Sequence, residues 1–431
     1  MPAAAGAELV PVASAEALRA AIVAAVAGDE IVLAPGTYTV IGTINCSAAG
    51  TSPLPIVVRA ATAGTALVRF DALEGFYVTG PHWRFEDLVI EGVCAADDDC
   101  EHAFHLAGNA DGTAIRRNVV RDFNAQIKSN GDGTGAFPDD VVIEGNELYD
   151  TRARATANPV TKIDVVGGRR WIVRGNTISD YEKGAGDTVS YAAFLKGNSR
   201  DGLFERNLVV CERATSGGVR LGLSLGGGGT ATQFCEGGGC TTEHQDGILR
   251  NNVIVGCPDV GIYLNRAAGT TIEHNTLYDT TGIDVRFSTS SATLRNNLLS
   301  GGIHNRDGGT STSTGDLTQV SLANFAAWFS DPAAADFGLL DGAEIVDQGV
   351  ATPLTTDDYC GTPRSDGAPD VGAVEYGAGA CDTTVGGGVY VPEPTAVELG
   401  LVACAALAAL RRPSPPSLLS TSGLFARERV L

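Results

Sequence analysis

Seven short segments in the middle of the chain repeat one pattern, and this repeat constrains the fold more than any other feature. Each segment alternates apolar and polar residues around an asparagine, as in VIEGNEL, IVRGNTI and LFERNLV. The asparagines are Asn118, Asn146, Asn176, Asn207, Asn252, Asn275 and Asn297, separated by 28, 30, 31, 45, 23 and 22 residues. Such a period predicts stacked coils of short strands, because one coil cannot bury its apolar face alone.

Each asparagine is expected at a tight corner of its coil. Its side chain tolerates left-handed backbone and bonds neighbouring peptide groups, so asparagines stacked at one corner would form a ladder. The sequence therefore predicts an all-β protein, a single-stranded right-handed parallel β-helix (solenoid). A short N-terminal capping helix is expected before it, because one helical face would carry Leu18, Ala21, Ile22 and Val26.

A second strand precedes each asparagine segment, as in AFHLAGN, AAFLKGN and GVRLGLSLGG. Aligning the first two places Leu106 over Leu195, so Leu195 would point into the core and Lys196 outward. In the next coil the same alternation predicts that Arg220 faces outward and that the inward residues are Val219, Leu221, Leu223 and Leu225.

The longest gap between repeats, from Asn207 to Asn252, contains a loop at residues 226–246. Insertions in solenoids gather on the binding face, so this loop is a candidate wall of a binding site. It carries Cys235 and Cys240, which we expect to staple it, and an acid-plus-histidine group that includes Glu243 and His244.

The charge distribution is uneven. The net charge of −21 argues against nucleic acid as a partner, because phosphate binding needs a basic surface. Residues 152–220 nevertheless hold twelve Lys or Arg against seven Asp or Glu, a net +5 that leaves −26 for the rest. This segment could form a local anion-binding groove or an ordinary solvated surface.

The ten cysteines include close pairs in polar loops, such as Cys94 with Cys100, which favour disulfides in an exported protein. Zinc binding is the alternative, because His102 and His105 could complete a four-ligand set with these two cysteines. The cysteine spacing is wider than in common zinc fingers, so we expect no metal there. Cys211 and Cys257 could be buried free thiols or could form a disulfide with each other.

The N-terminus lacks the basic region, apolar core and cleavage site of a signal peptide, so export would require a leader upstream of Met1 or one already removed. The C-terminal VPEPTAVELGLVACAALAALRR resembles the PEP-CTERM sorting signal of Gram-negative bacteria, which exosortase-type proteases recognise. The signal residues are Val391, Pro392, Glu393, Pro394, Arg411 and Arg412, with a hydrophobic membrane-anchor helix between them. Glu398 within that helix and nineteen residues after the arginines depart from the pattern.

The opening GDEIVLAPGTYTV and the following PIVVRA resemble polysaccharide lyases of the chondroitinase B and alginate lyase family. With the closing segments, this resemblance covers most of residues 14–376 and implies β-elimination on acidic, uronate-containing polysaccharide. The family's outward lysine base and assisting arginine correspond by order and spacing to Lys196 and Arg220. Leu221 replaces the histidine expected after the arginine. Val189 and Tyr191 replace acidic residues expected before the lysine, so Ca²⁺ is a candidate cofactor without its full ligand set.

Elimination needs a base for the proton next to the carboxylate and a cation for the developing enolate. Neighbouring arginines would disfavour the charged form of Lys196, which would be the base. Arg220 would neutralise the carboxylate and His244 would protonate the leaving oxygen. The candidate substrate-binding residues are Arg200, Arg174 and Glu243.

The sequence is compatible with one other function and argues against a second. A non-catalytic surface or matrix protein could bind carbohydrate on the same face. Hydrolysis of the polysaccharide would need several carboxylates clustered on one outward face, and the candidates do not form a convincing stack: Asp164, Asp284 and Asp187. We expect a monomer whose partners are acidic polysaccharide, an exosortase-type enzyme and, through the C-terminal helix, a membrane. The expected divisions are residues 1–27 (N-terminal segment with capping helix), 28–310 (β-helix), 311–376 (closing segment), 377–390 (glycine-rich linker), 391–412 (anchor) and 413–431 (disordered tail).

Overall fold

A computed structural model describes residues 8–227, 229–365 and 367–377. Within them the chain winds repeatedly through three parallel sheets, and each full coil adds one strand to each sheet. The strands are short because a corner follows every few residues. The fold is therefore the parallel β-helix that the repeat predicted.

The strands of the three sheets follow one another in chain order. The first sheet contains Leu9–Val12, Glu30–Leu33, Ile56–Ala60, Trp83–Glu86, Ala114–Arg116, Val142–Glu144, Ile172–Arg174, Leu203–Glu205, Ile248–Arg250, Thr270–Glu273, Ser291–Arg295 and Thr310–Thr314. The second sheet contains Gly36–Ile41, Ala66–Asp71, Val89–Gly92, Val119–Arg121, Glu147–Tyr149, Thr177–Ser179, Leu208–Val210, Val253–Val255, Thr276–Tyr278 and Leu298–Leu299. The third sheet contains Ile44–Cys46, Glu74–Val78, His102–Ala107, Ala125–Asn130, Val160–Val166, Val189–Lys196, Val219–Leu225, Ile262–Asn265, Gly282–Arg286 and Gly302–Arg306.

Smaller elements complete the described chain. A short parallel sheet is formed by Ser199–Arg200, His244–Gln245 and Ala267–Ala268, and an antiparallel pair by Phe329–Asp331 and Asp336–Leu339. The α-helices are Ala15–Ala24 and Leu322–Trp328, and the 3₁₀ turns are Asp97–Asp99, Thr232–Phe234, Glu236–Gly238 and Pro332–Ala334.

The N-terminal helix is present as predicted, with Ser14 capping its first turn and with Leu18 and Ile22 buried against the coils. Val26 lies beyond the helix and is exposed, so its assignment to the buried helical face is wrong. The strand Leu9–Val12 precedes the helix and pairs with Glu30–Leu33. The first sheet thus begins before residue 28, which the sequence did not indicate.

The asparagine ladder runs along the corner between the first and second sheets. From Asn118 to Asn275, each asparagine donates its backbone N–H and side-chain Nδ2–H to Oδ1 of the next, at 2.9–3.2 Å. Asn297 makes the same two bonds to Asp316, which ends the ladder. The left-handed residue is the one before each asparagine, as at Arg206 and Asn251, so the expectation of left-handed backbone at the asparagine itself is wrong.

Three disulfides are present in the described chain, Cys94–Cys100, Cys211–Cys257 and Cys235–Cys240. They confirm the loop staples and pair two cysteines whose state the sequence left open. They also exclude the zinc set that would have used Cys94 and Cys100.

The sorting-signal and anchor residues 391–412 lie outside the described residues. Among the helices of the described chain, none has the length and apolar content needed to span a membrane.

Candidate functional site

The outer face of the third sheet carries a row of polar and aromatic side chains. Along it His105 pairs in register with Lys128, Lys128 with Asp164, and Asp164 with Phe194. Paired strands lie about 4.8 Å apart, so side chains on successive strands come into contact. Lys128 Nζ accordingly lies 2.8 Å from Asp164 Oδ1. We call His105, Lys128, Asp164 and Phe194 the outer row.

Lys196 lies two residues beyond Phe194, and its Nζ is 4.4 Å from the centre of the Phe194 ring. The chain has four lysines, and three contact an aspartate: Lys128 with Asp164 (2.8 Å), Lys162 with Asp150 (2.6 Å) and Lys183 with Asp187 (2.6 Å). Lys196 has no carboxylate partner within the described residues.

Burial lowers the pKa of Lys196, and the charge of Lys128 acts in the same direction, although the carboxylates of Asp164 and Glu243 oppose the shift. Lowering the pKa increases the fraction of neutral amine at a given pH. Lys196 therefore combines an unpaired amine on the outer face with a lowered pKa, which are the two properties of a general base.

The stapled loop holds the backbone that follows Lys196. Gly197 donates its N–H to Glu243 Oε2 at 2.8 Å and accepts from the N–H of Glu236 at 2.9 Å. Asn198 Nδ2 donates to the carbonyl of Glu236 at 2.9 Å. The loop that the longest repeat gap introduces is thus bound directly to the end of the strand that carries Lys196.

A cavity of about 480 Å³ opens between the stapled loop and residues 130–137. Its lining includes Asn130, Phe137 and Phe234, the last an exposed aromatic. Phe137 packs over Gly167, which donates its N–H to the carbonyl of Lys196 at 2.8 Å. The cavity therefore lies over the carboxyl ends of neighbouring strands of the third sheet, close to the backbone of Lys196 and Gly197.

Arg220 is not on this surface. Its side chain is 0% exposed, contacts Glu182 at 2.8 Å and donates to the carbonyls of Cys211, Thr215 and Gly217. It pairs in register with Ser190, six residues before Lys196, which is about 20 Å along the strand. The prediction that Arg220 faces outward beside Lys196 is wrong.

A break in the strand alternation explains the error. Ala192 and Ala193 both lie in the core cluster, and the pairing with the next strand skips Ala192 and Gly222. A one-residue break moves the side chains before it to the other face. Leu223 and Leu225 are in the core as predicted, whereas Val219 is 37% exposed and Leu221 belongs to a separate cluster, contrary to prediction.

His244 and Glu243 are close to Lys196 but fully buried. His244 Nδ1 is 2.7 Å from Ser199 Oγ, and burial lowers its pKa to about 3, so the imidazole is neutral and enclosed. The proton-donor role predicted for His244 and the substrate contact predicted for Glu243 do not fit these positions. Glu243 instead supports the Lys196 backbone through Gly197.

The two remaining arginines lie elsewhere. Arg174 belongs to the first sheet and contacts Glu144 at 2.8 Å, so the substrate-binding role predicted for it is not supported. Arg200 lies half-buried on the short parallel sheet, four residues after Lys196, and its buried Nε has no hydrogen-bond partner within the described residues. Arg200 therefore stays a candidate near the site.

The carboxylates around Lys196 fit neither calcium nor glycoside hydrolysis. Calcium takes about six to eight oxygen ligands, but Asp164 is bonded to Lys128, and Glu243 is buried against Gly197 and Thr230. Asp164 and Asp284 share the outer face but are four strands apart, about 19 Å, against roughly 5–9.5 Å in glycosidases.

Lys128 was not predicted as a site residue from the sequence. Its strand, AQIKSN, was not included among the strands that precede the asparagine segments. Aligning the apolar Ile127 of this strand with Phe104 would have placed Lys128 beside His105, as the register shows. The signal was present, but it is a single polar residue in a six-residue strand.

Comparisons with known proteins agree with this architecture. Residues 102–321, just over half of the chain, match the family model described as right handed beta helix region, and residues 12–134 match the model for chondroitinase B. Pectate lyase L of Dickeya chrysanthemi is 38% identical over 85 residues, which cover 16% of this chain and 20% of that protein. The match thus spans about a fifth of the curated relative's length.

Among solved structures, the crystal structure of pectate lyase Pel9A is similar with a TM-score of 0.56 and 18% identity. The similarity covers 86% of this chain and 98% of that chain. At this identity the likeness establishes the fold.

Proposed function

Because the chain belongs to the right-handed β-helix family, we propose that it acts on acidic, uronate-containing polysaccharide by β-elimination, with Lys196 as the base. The match to the chondroitinase B model and the local identity to a pectate lyase support this substrate class. The net-basic segment that contains Lys196 is consistent with an anionic ligand.

One observation carries the proposal. Lys196 is the lysine that lacks a carboxylate partner in the described chain, and its pKa is lowered where its amine meets the outer face. Partial burial of an ammonium group without a carboxylate partner costs free energy, and a lysine that serves only solubility has no need of such burial. The partial burial of an unpaired amine therefore favours a chemical role.

The reaction follows from this placement. The neutral Nζ of Lys196 takes the proton from the carbon next to the uronate carboxylate. The electron pair of that C–H bond becomes the new carbon–carbon double bond, and the glycosidic oxygen leaves with a proton from water. Lys196 then returns its proton to solvent.

A cation must stabilise the negative charge that develops on the carboxylate. With Arg220 buried, we assign this role to Lys128, whose ammonium group is held by Asp164 on the outer row. Burial alone would raise the pKa of Asp164, but the charges of Lys128 and Lys196 lower it, so the carboxylate stays ionised. The cavity between Phe137 and Phe234 offers apolar faces on which a sugar ring could stack.

A non-catalytic carbohydrate-binding protein is the second candidate. The burial of Arg220 favours it, because the arginine expected to assist the reaction is used in the fold. Such a protein would bind the same polysaccharide on the same face and release no product.

We further propose export to the cell surface, with residues 391–412 as a sorting signal and membrane anchor that an exosortase-type enzyme processes. The three disulfides support an oxidising compartment.

The test is incubation of the protein with polygalacturonate, alginate and chondroitin while the absorbance of unsaturated uronate is followed. We expect product with at least one polymer, and a loss on the order of 1,000-fold in Lys196→Ala, typical of removing a general base. Lys183→Ala is the matched control, because it removes the same charge from a lysine that contacts Asp187 away from the outer row.

Activity that survives Lys196→Ala would refute the assigned base. Absence of product with every polymer, together with binding that Lys128→Ala weakens, would favour the non-catalytic protein.

A further inference from the structure

Two histidines and a glutamate meet at one end of the outer row. Glu74 and His102 are the first residues of neighbouring strands and pair in register. His105 Nδ1 lies 2.6 Å from Glu74 Oε1, and one potential ligand atom from each of the three residues lies within 4.8 Å of the others. We propose that Glu74, His102 and His105 bind one divalent metal ion of the zinc class.

A break in the alternation places both histidines on the same face. Residues three apart on a regular strand point to opposite faces, but Ala103 and Phe104 between them both lie in the core cluster. The pairing with the previous strand skips Ala103 and Gly75, and a Cβ on Gly75 would lie 2.5 Å from the carbonyl oxygen of Ala103. The glycine therefore permits the arrangement that brings the two imidazoles together.

The unpaired imidazole nitrogen of His102 is an independent indication of a ligand. Its Nδ1 is buried and has no hydrogen-bond partner within the described residues. Buried polar atoms are rarely left without a partner, because the loss of water costs free energy. A metal ion would provide the missing partner.

His105 is already oriented to act as a ligand. Its Nε2 is 2.8 Å from Asn130 Oδ1, which fixes the ring and leaves Nδ1 directed at Glu74. Metal-binding histidines typically bond an oxygen through the second ring nitrogen in this way.

The donor set selects the class of metal. Two imidazole nitrogens and one carboxylate suit zinc and similar transition metals, whereas calcium and magnesium prefer oxygen ligands alone. Ligands of a tetrahedral zinc ion lie about 3.4 Å apart, so the contact between His105 and Glu74 needs to open by roughly 1 Å. Three protein ligands leave a fourth position for water.

The neighbouring charges permit a cation at this place. Lys128 is the nearest ammonium group along the row, and the carboxylate of Asp164 at 2.8 Å offsets part of its charge. Glu74 itself supplies one negative charge. This metal site does not depend on the proposed elimination, because it concerns binding alone.

The test is metal binding by the whole protein after dialysis against EDTA. We expect one equivalent of Zn²⁺ in competition with a chromophoric chelator, and visible absorption bands when Co²⁺ is used as the probe. His105→Ala and Glu74→Gln should each weaken binding on the order of 100-fold, since even residues behind the ligands cost 10–100-fold.

His304→Ala is the matched control. His304 lies on the same sheet and contacts a carboxylate, Asp284, at 3.2 Å, but it has no second histidine beside it. Its substitution should leave zinc binding unchanged. Circular dichroism checks the fold of each variant, and the near-isosteric Glu74→Gln decides the matter if His105→Ala does not fold. No saturable binding at micromolar zinc, or binding that Glu74→Gln leaves unchanged, would overturn the proposal.

Discussion

Replacing Asn207 by alanine tests whether the asparagine ladder holds the coils together. Asn207 Oδ1 accepts from the backbone N–H and side-chain Nδ2 of Asn176, at 3.2 and 3.0 Å. Its Nδ2 donates to the carbonyl of Val173 at 2.8 Å and to Asn252 Oδ1 at 2.9 Å. The side chain therefore makes four hydrogen bonds at a position with no solvent exposure.

The expected loss follows from the groups left without a partner. In Asn207→Ala, two donors of Asn176 and the carbonyl of Val173 lose their bonds, whereas Asn252 Oδ1 keeps the backbone N–H of residue 207. Each buried unsatisfied group costs about 1–3 kcal/mol. We expect a fall of roughly 3–6 kcal/mol in the free energy of unfolding, after allowing for some water in the space left by the side chain.

Urea unfolding followed by circular dichroism measures this change. Asn305→Ala is the control, because Asn305 is exposed on the last strand of the third sheet and surface substitutions usually stay within about 0.5 kcal/mol. A loss below about 1 kcal/mol in Asn207→Ala would show that the ladder fills space without stabilising the coils.

Three further predictions concern ionisable groups. The elimination rate should rise with pH as Lys196 loses its proton, with an apparent pKa below that of an ordinary lysine, and a rate that falls over this range would contradict the assigned base. Arg220→Leu should lower the free energy of unfolding by about 2–4 kcal/mol, because it leaves Glu182 without its partner. The KM of the folded protein should not change. A raised KM at unchanged stability would show that Arg220 contacts the substrate after all. Burial raises the pKa of Asp316, so wild-type stability falls as pH rises through that pKa. Asp316→Asn should continue the ladder and be about 0.5–1.5 kcal/mol more stable at neutral pH, and a urea series in which this gain persisted at acid pH would refute the charge explanation.

The repeat made the fold predictable, because the same pattern recurs at seven corners. An error in interpreting one segment therefore does not change the predicted fold. The placement of Leu106 over Leu195 follows from that period and agrees with the register, in which Leu106, Ser129, Val165 and Leu195 succeed one another. Which residues point into the core follows a regular period, and that period can be seen in the sequence itself.

The site was less predictable because it depends on departures from the period. The position of Arg220 depends on a one-residue break in the strand alternation at Ala192. No residue type in the Ala192 strand indicates this break from the sequence alone. Likewise, Glu74 could not be joined to the histidines without knowing that Gly75 accommodates the same kind of break. Such breaks are recognised from strand pairing, which is a property of two coils and not of one segment.

The other two sheets explain why chemistry would be confined to the third. The outer face of the last four strands of the second sheet is covered by the closing segment, which packs Phe325, Phe329 and Phe337 in one cluster with Leu208 and Val253. The first sheet carries arginines that are matched with glutamates along the stack: Arg116 and Arg174 with Glu144, Arg250 with Glu205, and Arg295 with Glu273. Charges balanced within the protein attract an anionic polymer weakly. The third sheet combines an unpaired lysine with an adjoining cavity, so an acidic chain that binds this β-helix should lie along that face.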